Sequence, residues 1–541
     1  MRPRHSRTAA APLLRLARAA RPALLAALLA TLIGPLAGCA VNPVTGERHL
    51  QFYGDDWERQ VGAQMYAPMK QSQGGEFVLD PALTAYVQEV GGKLAAQSRR
   101  EPKLDYEFSV LNDSTPNAWA LPGGKIVVNR GLLTELESEA ELAAVLGHEI
   151  VHADAAHGAR AQSKGMLTQA GALVSMVVLG STVDSDSARQ IAMLVPSVGA
   201  ELLTRKYGRD AERESDAYGM RYLSEAGYDP QGAVHLQETF LRLSEGRDPD
   251  WLSGLFASHP PSRERLENNR ALANELPAGG VTGAERYREQ TAYLRRVQPA
   301  YEAYDAAREA ANEEDWREAQ RRLDRALAIE PRESLFHDLQ GDIHALNDRP
   351  EQALAAYERA IELNPGFFYG HLRRGQLAFR LDRHAEARDS LRRSLELMPT
   401  AEAHYLLGRL DRSKGDLRAA VAHFQAAAGS ESPAGRAADR ELVVLDLGAN
   451  PSRYIASGAF QDRYGRLWVQ LANHTGVAAR DIEVSYAWLD SQGRTRRDRT
   501  VHRGPLAGGA QVQLPLNADL EPGADLPRRM QVQVTAAKVA E

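Results

Sequence analysis

Cysteine is almost missing from this chain: its 541 residues include one, Cys39. Disulfide bonds are therefore excluded as a source of stability. Long apolar runs are scarce as well. Ala23 to Ile33 and Ala172 to Gly180 are the two short candidates, and both fall below the roughly 20 residues that a membrane helix needs. Charge of one sign is also lacking. Lys and Arg number 65 against 71 Asp and Glu, a formal net charge of -6, and nothing in that balance points to nucleic acid. What remains is ordinary for a soluble globular protein, with 43% hydrophobic and 25% charged residues. The length implies three or four domains.

The lone cysteine has a setting. Six arginines and no acid precede an apolar stretch that ends in Leu36-Ala37-Gly38-Cys39. The pattern resembles a lipoprotein signal peptide, residues 1–38, with Cys39 as the lipid-attachment residue; an ordinary secretory signal is the alternative. Loss of six arginines would leave a mature chain more acidic than -6. Acyl chains, and not headgroup charge, would then hold it to a membrane. Ala40 follows Cys39, and by resemblance to lipoprotein sorting the absence of Asp there implies a periplasmic location on the outer membrane.

The chemistry is concentrated in His148-Glu149-Ile150-Val151-His152. On a helix, residues four apart lie one turn above each other. His148 and His152 can then face one metal ion, with Glu149 beside them able to reach water as general base. Ser138 and Glu141 form an S-x-x-E capping box that starts this helix. His157, five residues past His152, would turn about 500° on a continuous helix and leave the metal face, so it reads as structural. A catalytic zinc needs a third protein ligand. Glu212 is the best candidate, with Asp216 one turn along to orient a histidine; Glu214 competes, and a solvated acidic helix is the bland reading.

Upstream, Asn117-Ala118-Trp119-Ala120-Leu121 is an extended segment, followed by a Pro-Gly-Gly turn and a second strand from Lys125. This hairpin edge either binds a peptide by strand addition, through Asn117, Ala118 and Trp119, or is purely structural. A helical stretch from Leu167 to Val195 reads as a lid over the cleft.

Taken together, H-E-I-V-H, the later E-x-E-x-D-x-x-G of Glu212, Glu214, Asp216 and Gly219, N-A-W-A-x-P-G-G, and His259-Pro260 with Arg265 resemble the HtpX/Oma-type zinc metallopeptidase family. The resemblance covers roughly residues 42 to 270. It implies one zinc per chain on His148, His152 and Glu212, Glu149 as base and Asp216 in support. Ser215 stands where the family usually has alanine. By resemblance to BepA-like periplasmic members, His259 would be a regulatory fourth ligand; a helix cap is the alternative. Arg265 would stabilise charge near the site or pair with an acid.

Beyond residue 300 a period appears. Pro331, Pro365 and Pro399 lie 34 apart, as do Ala319, Ala353 and Ala387, with Ala420 following. This looks like four tetratricopeptide repeats over 300–432, a scaffold that presents a concave surface to segments of other proteins. Phe367, Phe368, Tyr369 and His371 either line that surface or fill the core. After residue 440 the period becomes two. Leu467, Val469 and Leu471 alternate, as do Ile482, Val484, Tyr486 and Trp488, the pattern of a β-sandwich.

The expected architecture is multidomain: a mainly α zincin-like protease domain over 39–285 with a small β-hairpin or sheet, a linker over 286–299, an α-solenoid and a C-terminal β-sandwich. The expected function is a lipid-anchored zinc endopeptidase for misfolded or stalled envelope proteins, its repeats binding envelope assembly proteins and its membrane contact limited to the anchor. Two other classes fit the sequence: a chaperone or assembly scaffold with a latent zinc site, and a zinc exopeptidase, for which no free-terminus subsite motif is visible.

Overall fold

The computed structural model describes residues 39–100, 103–164, 207–246, 259–521, 523 and 525–540. The signal segment 1–38 and the whole of the expected lid, 167–195, lie outside the described residues. No helix among the described residues is long and apolar enough to cross a membrane. The chain divides into two compact units, 1–343 with 359–367 and 344–358 with 368–541.

In the first unit, a short antiparallel ribbon comes first, β1 (Cys39–Val41) with β2 (Arg48–Leu50). Helices α1 (Asp55–Ser72) and α2 (Pro81–Ala95) follow. Asp80 caps α2 by accepting from Leu83 N at 3.3 Å, and Pro81 fills its first turn. Leu83, Val87, Val90 and Leu94 recur on one face and are fully buried.

The sheet has three strands: β3 (Glu107–Leu111), β4 (Ala118–Leu121) and β5 (Lys125–Asn129). The order is β3-β5-β4. The expected hairpin is β4 antiparallel to β5, with Ala118 opposite Val128. β3 adds to β5 in parallel, Phe108 opposite Ile126. That leaves β4 at an edge.

After the one-turn helix α3 (Arg130–Glu135) comes α4 (Glu139–Asp154), which carries the histidines. Ser138 Oγ accepts from Glu141 N at 3.2 Å, and the Glu141 carboxylate accepts from Glu137 N at 3.1 Å. All sixteen residues of α4 are buried. Three helices surround the site: α5 (Arg209–Glu225), α6 (Gln231–Gly246) and α7 (Arg263–Glu275).

Residues 286–299 are not the expected linker. They belong to α8 (Ala284–Gln290) and the start of α9 (Ala292–Asn312). Tyr287, Leu294 and Val297 make an apolar face that is buried, and Tyr287 donates to Leu133 O at 2.7 Å. Arg130, fully buried, lies 3.4 Å from the ring centre of Tyr301 on α9.

The repeat helices continue as α10 (Trp316–Ile329), α11 (Ser334–Leu346), α12 (Pro350–Leu363), α13 (Phe368–Arg380), α14 (His384–Leu397), α15 (Ala401–Ser413) and α16 (Leu417–Ala427). Ala319, Ala353, Ala387 and Ala420 are each fully buried. A methyl at Gly375 would sit 2.7 Å from Leu391, and one at Gly408 2.6 Å from Phe424. Small side chains are thus what let paired helices touch. Phe367 and His371 are buried, and Phe368 packs against the core around Leu372 and Leu407.

In the second unit α17 (Pro433–Asp446) leads into two three-stranded sheets. One is β6 (Ile455–Gln461), β7 (Leu467–Asn473) and β10 (Gln511–Pro515). The other is β8 (Ala479–Leu489), β9 (Thr495–His502) and β11 (Met530–Val539). Leu467, Val469 and Leu471 from one, and Ile482, Val484, Tyr486 and Trp488 from the other, share a single core. The alternation predicted that face; each fully buried aliphatic side chain contributes about 1.5–3 kcal/mol.

Candidate metal centre

α4 and α5 meet backbone to backbone. A methyl on Gly219 would lie 3.0 Å from His148 N, and one on Gly147 3.1 Å from Gly219 O. The two glycines let a histidine-bearing turn and a carboxylate-bearing turn converge. On α5 the inward stripe is Glu212, Ser215, Gly219 and Leu223, all buried. Ser215 Oγ has no hydrogen-bond partner among the described residues, so the hydroxyl adds nothing over an alanine there.

His148, His152, Glu212 and His259 bring one ligand atom each to within 4.8 Å of one another, and all four are buried. His148 Nε2 and His152 Nε2 are 3.0 Å apart. His259 Nδ1 is 3.2 Å from His148 Nε2 and 3.0 Å from Glu212 Oε1. Glu212 lies 3.5 and 3.4 Å from the two helix imidazoles. A divalent ion with bonds of about 2.0–2.2 Å to nitrogen and oxygen needs donors spaced in this way. The donor set, imidazoles plus one carboxylate, fits such a cation.

Electrostatics agree with a cation site. Burial pushes the His148 pKa down, but the Asp216 and Glu212 carboxylates outweigh it and raise it to about 10. For Glu212, burial pulls upward and the three surrounding imidazoles win, holding its pKa well below the usual carboxylate range. Burial lowers the His152 pKa. The two ionised carboxylates therefore make the cluster favourable to positive charge.

The supports are equally specific. Asp216 Oδ1 is 3.0 Å from His148 Nδ1, and Arg265 donates to both Asp216 oxygens at 2.7 Å. Arg265 Nη1 also lies 3.0 Å from Glu212. At the C-terminal end of α4, Asp154 is fully buried and accepts from Ser98 Oγ at 2.7 Å, Tyr222 Oη at 2.8 Å and Arg99 N at 3.2 Å, and from Tyr106 Oη. These bonds fix the turn that carries His152.

Glu149 faces a cleft with an apolar wall that includes Ala118, Met220 and Phe240. Its carboxylate is 3.6 Å from His259 Nε2. Ala118 puts the β4 edge in the same cleft. Asn117 and Trp119 are not among the residues lining it; Trp119 Nε1 donates to Gln73 Oε1 at 3.1 Å.

Two nearby residues had no part in the sequence-derived site. Tyr207 stands with its ring centre 4.2 Å from that of His152; no motif marked it. His157 is outside the four-residue cluster, yet its Nδ1 is 2.9 Å from His152 Nδ1. The 500° rotation does not apply, because α4 stops at Asp154 and Ala156 takes φ +52° before helix resumes at 157.

Comparison with known proteins agrees with this geometry. Residues 81–273 match the model of peptidase family M48, and 304–366, 340–402 and 372–436 match a tetratricopeptide repeat model. The chain is 27% identical over 391 residues to the beta-barrel assembly-enhancing protease of Escherichia coli strain K12, covering 62% of this chain and 78% of that protein. It is 32% identical over 241 residues to the mitochondrial metalloendopeptidase OMA1 of Schizosaccharomyces pombe, covering 44% of this chain and 67% of the relative. The metalloprotease YcaL of Escherichia coli is 30% identical over 163 residues, 30% of this chain and 60% of that one. With its buried histidine–carboxylate cluster and its repeats, this chain belongs to peptidase family M48 and is a metalloendopeptidase.

Proposed function

We propose that this protein is a periplasmic zinc endopeptidase, anchored to the outer membrane through Cys39, that cleaves misfolded or stalled envelope proteins during outer-membrane protein assembly. The observation that carries the reading is the convergence of His148, His152 and Glu212 beside Glu149. The name of the Escherichia coli relative supports the assembly role. The repeats supply a surface for envelope assembly proteins.

His148, His152 and Glu212 would hold the zinc. When bound, zinc supplies a Lewis acid that polarises the scissile carbonyl and acidifies water. Glu149 takes the proton from the attacking water and passes it to the leaving amine. Asp216 fixes the ring of His148, so that Nε2 stays turned to the site. Arg265 balances the two carboxylates, Asp216 and Glu212, that crowd the centre. The apolar cleft wall excludes water from the substrate backbone, and β4 offers that backbone a strand to pair with.

A second reading, a scaffold with a latent site, draws on His259. Its Nδ1 faces the cluster and its Nε2 faces Glu149. In that pose its ring would fill the position of the attacking water and engage Glu149 at the same time. The test uses purified full-length protein. Metal analysis is expected to find one zinc per chain, and cleavage of an unfolded protein is expected to stop with a chelator and with Glu149→Gln. Chelator-insensitive cleavage would overturn the metallopeptidase mechanism. Full restoration of envelope integrity by Glu149→Gln in a deletion strain would select the scaffold.

A further inference from the structure

We propose that Asn42, just after the cysteine at the start of the described chain, is a positioning residue of the metal centre. It acts through Glu214 and His157 on His152.

The connection can be followed atom by atom. Nε2 of His152 faces the cluster, so Nδ1 is its outer nitrogen. That Nδ1 is 2.9 Å from His157 Nδ1. On its far side His157 Nε2 lies 3.5 Å from Glu214 Oε2, an electrostatic contact and not an aligned hydrogen bond. Glu214 Oε1 accepts a hydrogen bond from Asn42 Nδ2, and Oε2 lies 3.5 Å from Arg160 Nη1. His157 and Asn42 are 4% and 2% exposed, and Glu214 between them is partly buried.

Proton placement gives the chain a direction. A neutral imidazole that ligates a metal through Nε2 carries its proton on Nδ1. His152 then donates, and His157 Nδ1 accepts. His157 is left with its proton on Nε2, the nitrogen nearest the Glu214 carboxylate. The nearby Glu214 charge therefore favours the proton on His157 Nε2, which leaves Nδ1 free to accept and in turn favours the Nδ1–H tautomer of His152.

The orientation of Asn42 is set by its own turn. Its Oδ1 accepts from Val44 N at 2.9 Å, so Nδ2 is the group that faces Glu214. Asn42 N donates to Glu47 O at 2.8 Å, and Gly46 N donates to Asn42 O at 2.9 Å. Just after the β1–β2 ribbon, Phe52 N donates to Ser163 Oγ at 3.1 Å, on the helical stretch that begins with His157. The segment next to Cys39 is thereby docked on the helix that supports the metal ligand.

This inference rests on His152 being a zinc ligand, and the experiment separates the two claims. Zinc dissociation constants are measured on full-length protein by competition with a chelator of known affinity, without substrate. Asn42→Ala and Glu214→Gln are expected to weaken zinc binding about tenfold each, the size seen for outer-sphere partners of histidine ligands. The double variant is expected to be no worse than Glu214→Gln alone. Thr45→Ala, which loosens the same turn by removing the Glu47 N to Thr45 Oγ1 bond, is expected to match wild type. If wild type takes up no zinc, the metal assignment itself is wrong. If wild type binds zinc and Glu214→Gln stays within twofold of it, or if Thr45→Ala weakens binding as much as Asn42→Ala, the positioning role is wrong.

Discussion

Arg265 holds Asp216 with two hydrogen bonds of 2.7 Å, one to each carboxylate oxygen, while Asp216 Oδ1 remains 3.0 Å from His148 Nδ1. The pair is buried, and the guanidinium holds the Asp216 pKa below its usual value against the opposing pull of burial. Asp216→Asn keeps the shape but loses the charge that favours a donor on His148 Nδ1. Zinc affinity is expected to fall about 10- to 100-fold, measured by chelator competition. Arg265→Lys, which cannot make the two-pronged contact, is expected to move affinity in the same direction.

His259→Ala addresses latency. The variant removes a ring that lies between Glu149 and the other cluster members. If the ring closes the site, the variant cleaves a casein-like substrate faster than wild type. An equal or lower rate means that His259 is not a plug.

The edge of β4 makes a separate prediction. Asn129 N donates to Asn117 O at 2.8 Å, and the register pairs Ala118 with Val128. In an antiparallel ladder, bonded and non-bonded pairs alternate, so Ala118 and Ala120 turn their N–H groups away from β5. Ala120→Pro deletes one outward donor and leaves the ladder intact. The expected result is a KM about tenfold higher for a peptide substrate, with kcat and the melting temperature little changed. An unchanged KM rules out strand addition at Ala120.

Gly219 tests the helix contact. Gly219→Ala puts a methyl 3.0 Å from His148 N and 3.1 Å from Gly147 C, with backbone on both sides. Overpacking of this kind costs about 1–3 kcal/mol. A lower melting temperature together with weaker zinc binding is expected, because the same shift separates Glu212 from the two imidazoles.

Acid is expected to loosen the repeat helices α15 and α16. His404 Nδ1 and His423 Nδ1 are 3.0 Å apart. Burial lowers the pKa of His404, and the neighbouring His423 lowers it further. Burial lowers that of His423 too; Asp411 opposes, and Arg388 and Arg392 add to the fall. Both rings are therefore harder to protonate folded than unfolded. Below the unfolded value of about 6.5 the unfolded chain binds more protons, so stability is lost as pH falls through that region. Hydrogen exchange over residues 401–427 is expected to show more opening at pH 5 than at pH 7, after correction for intrinsic rates. The His404→Gln, His423→Gln variant is expected to narrow that difference.

Much of this was legible without coordinates, and the reasons are local. The capping box at Ser138 and Glu141 set the start of α4, and a four-residue spacing put His148 and His152 on one side. The 34-residue period and the alternation from Leu467 onward specified the repeats and the strands. Three things were not legible. The parallel pairing of β3 with β5 joins segments with no local signal between them. The 286–299 stretch was expected to be a linker, yet Tyr287, Leu294 and Val297 fall on buried helix faces. His157 was placed by extending a helix through Ala156, whose left-handed backbone ends it.

The complete burial of α4 has a consequence for how such an enzyme can diversify. A helix with no outward side offers no position where a substitution goes unnoticed by its neighbours. New substrate preferences must therefore arise on the cleft walls supplied by α5, α6 and β4, while the reacting groups stay fixed on an inner pillar.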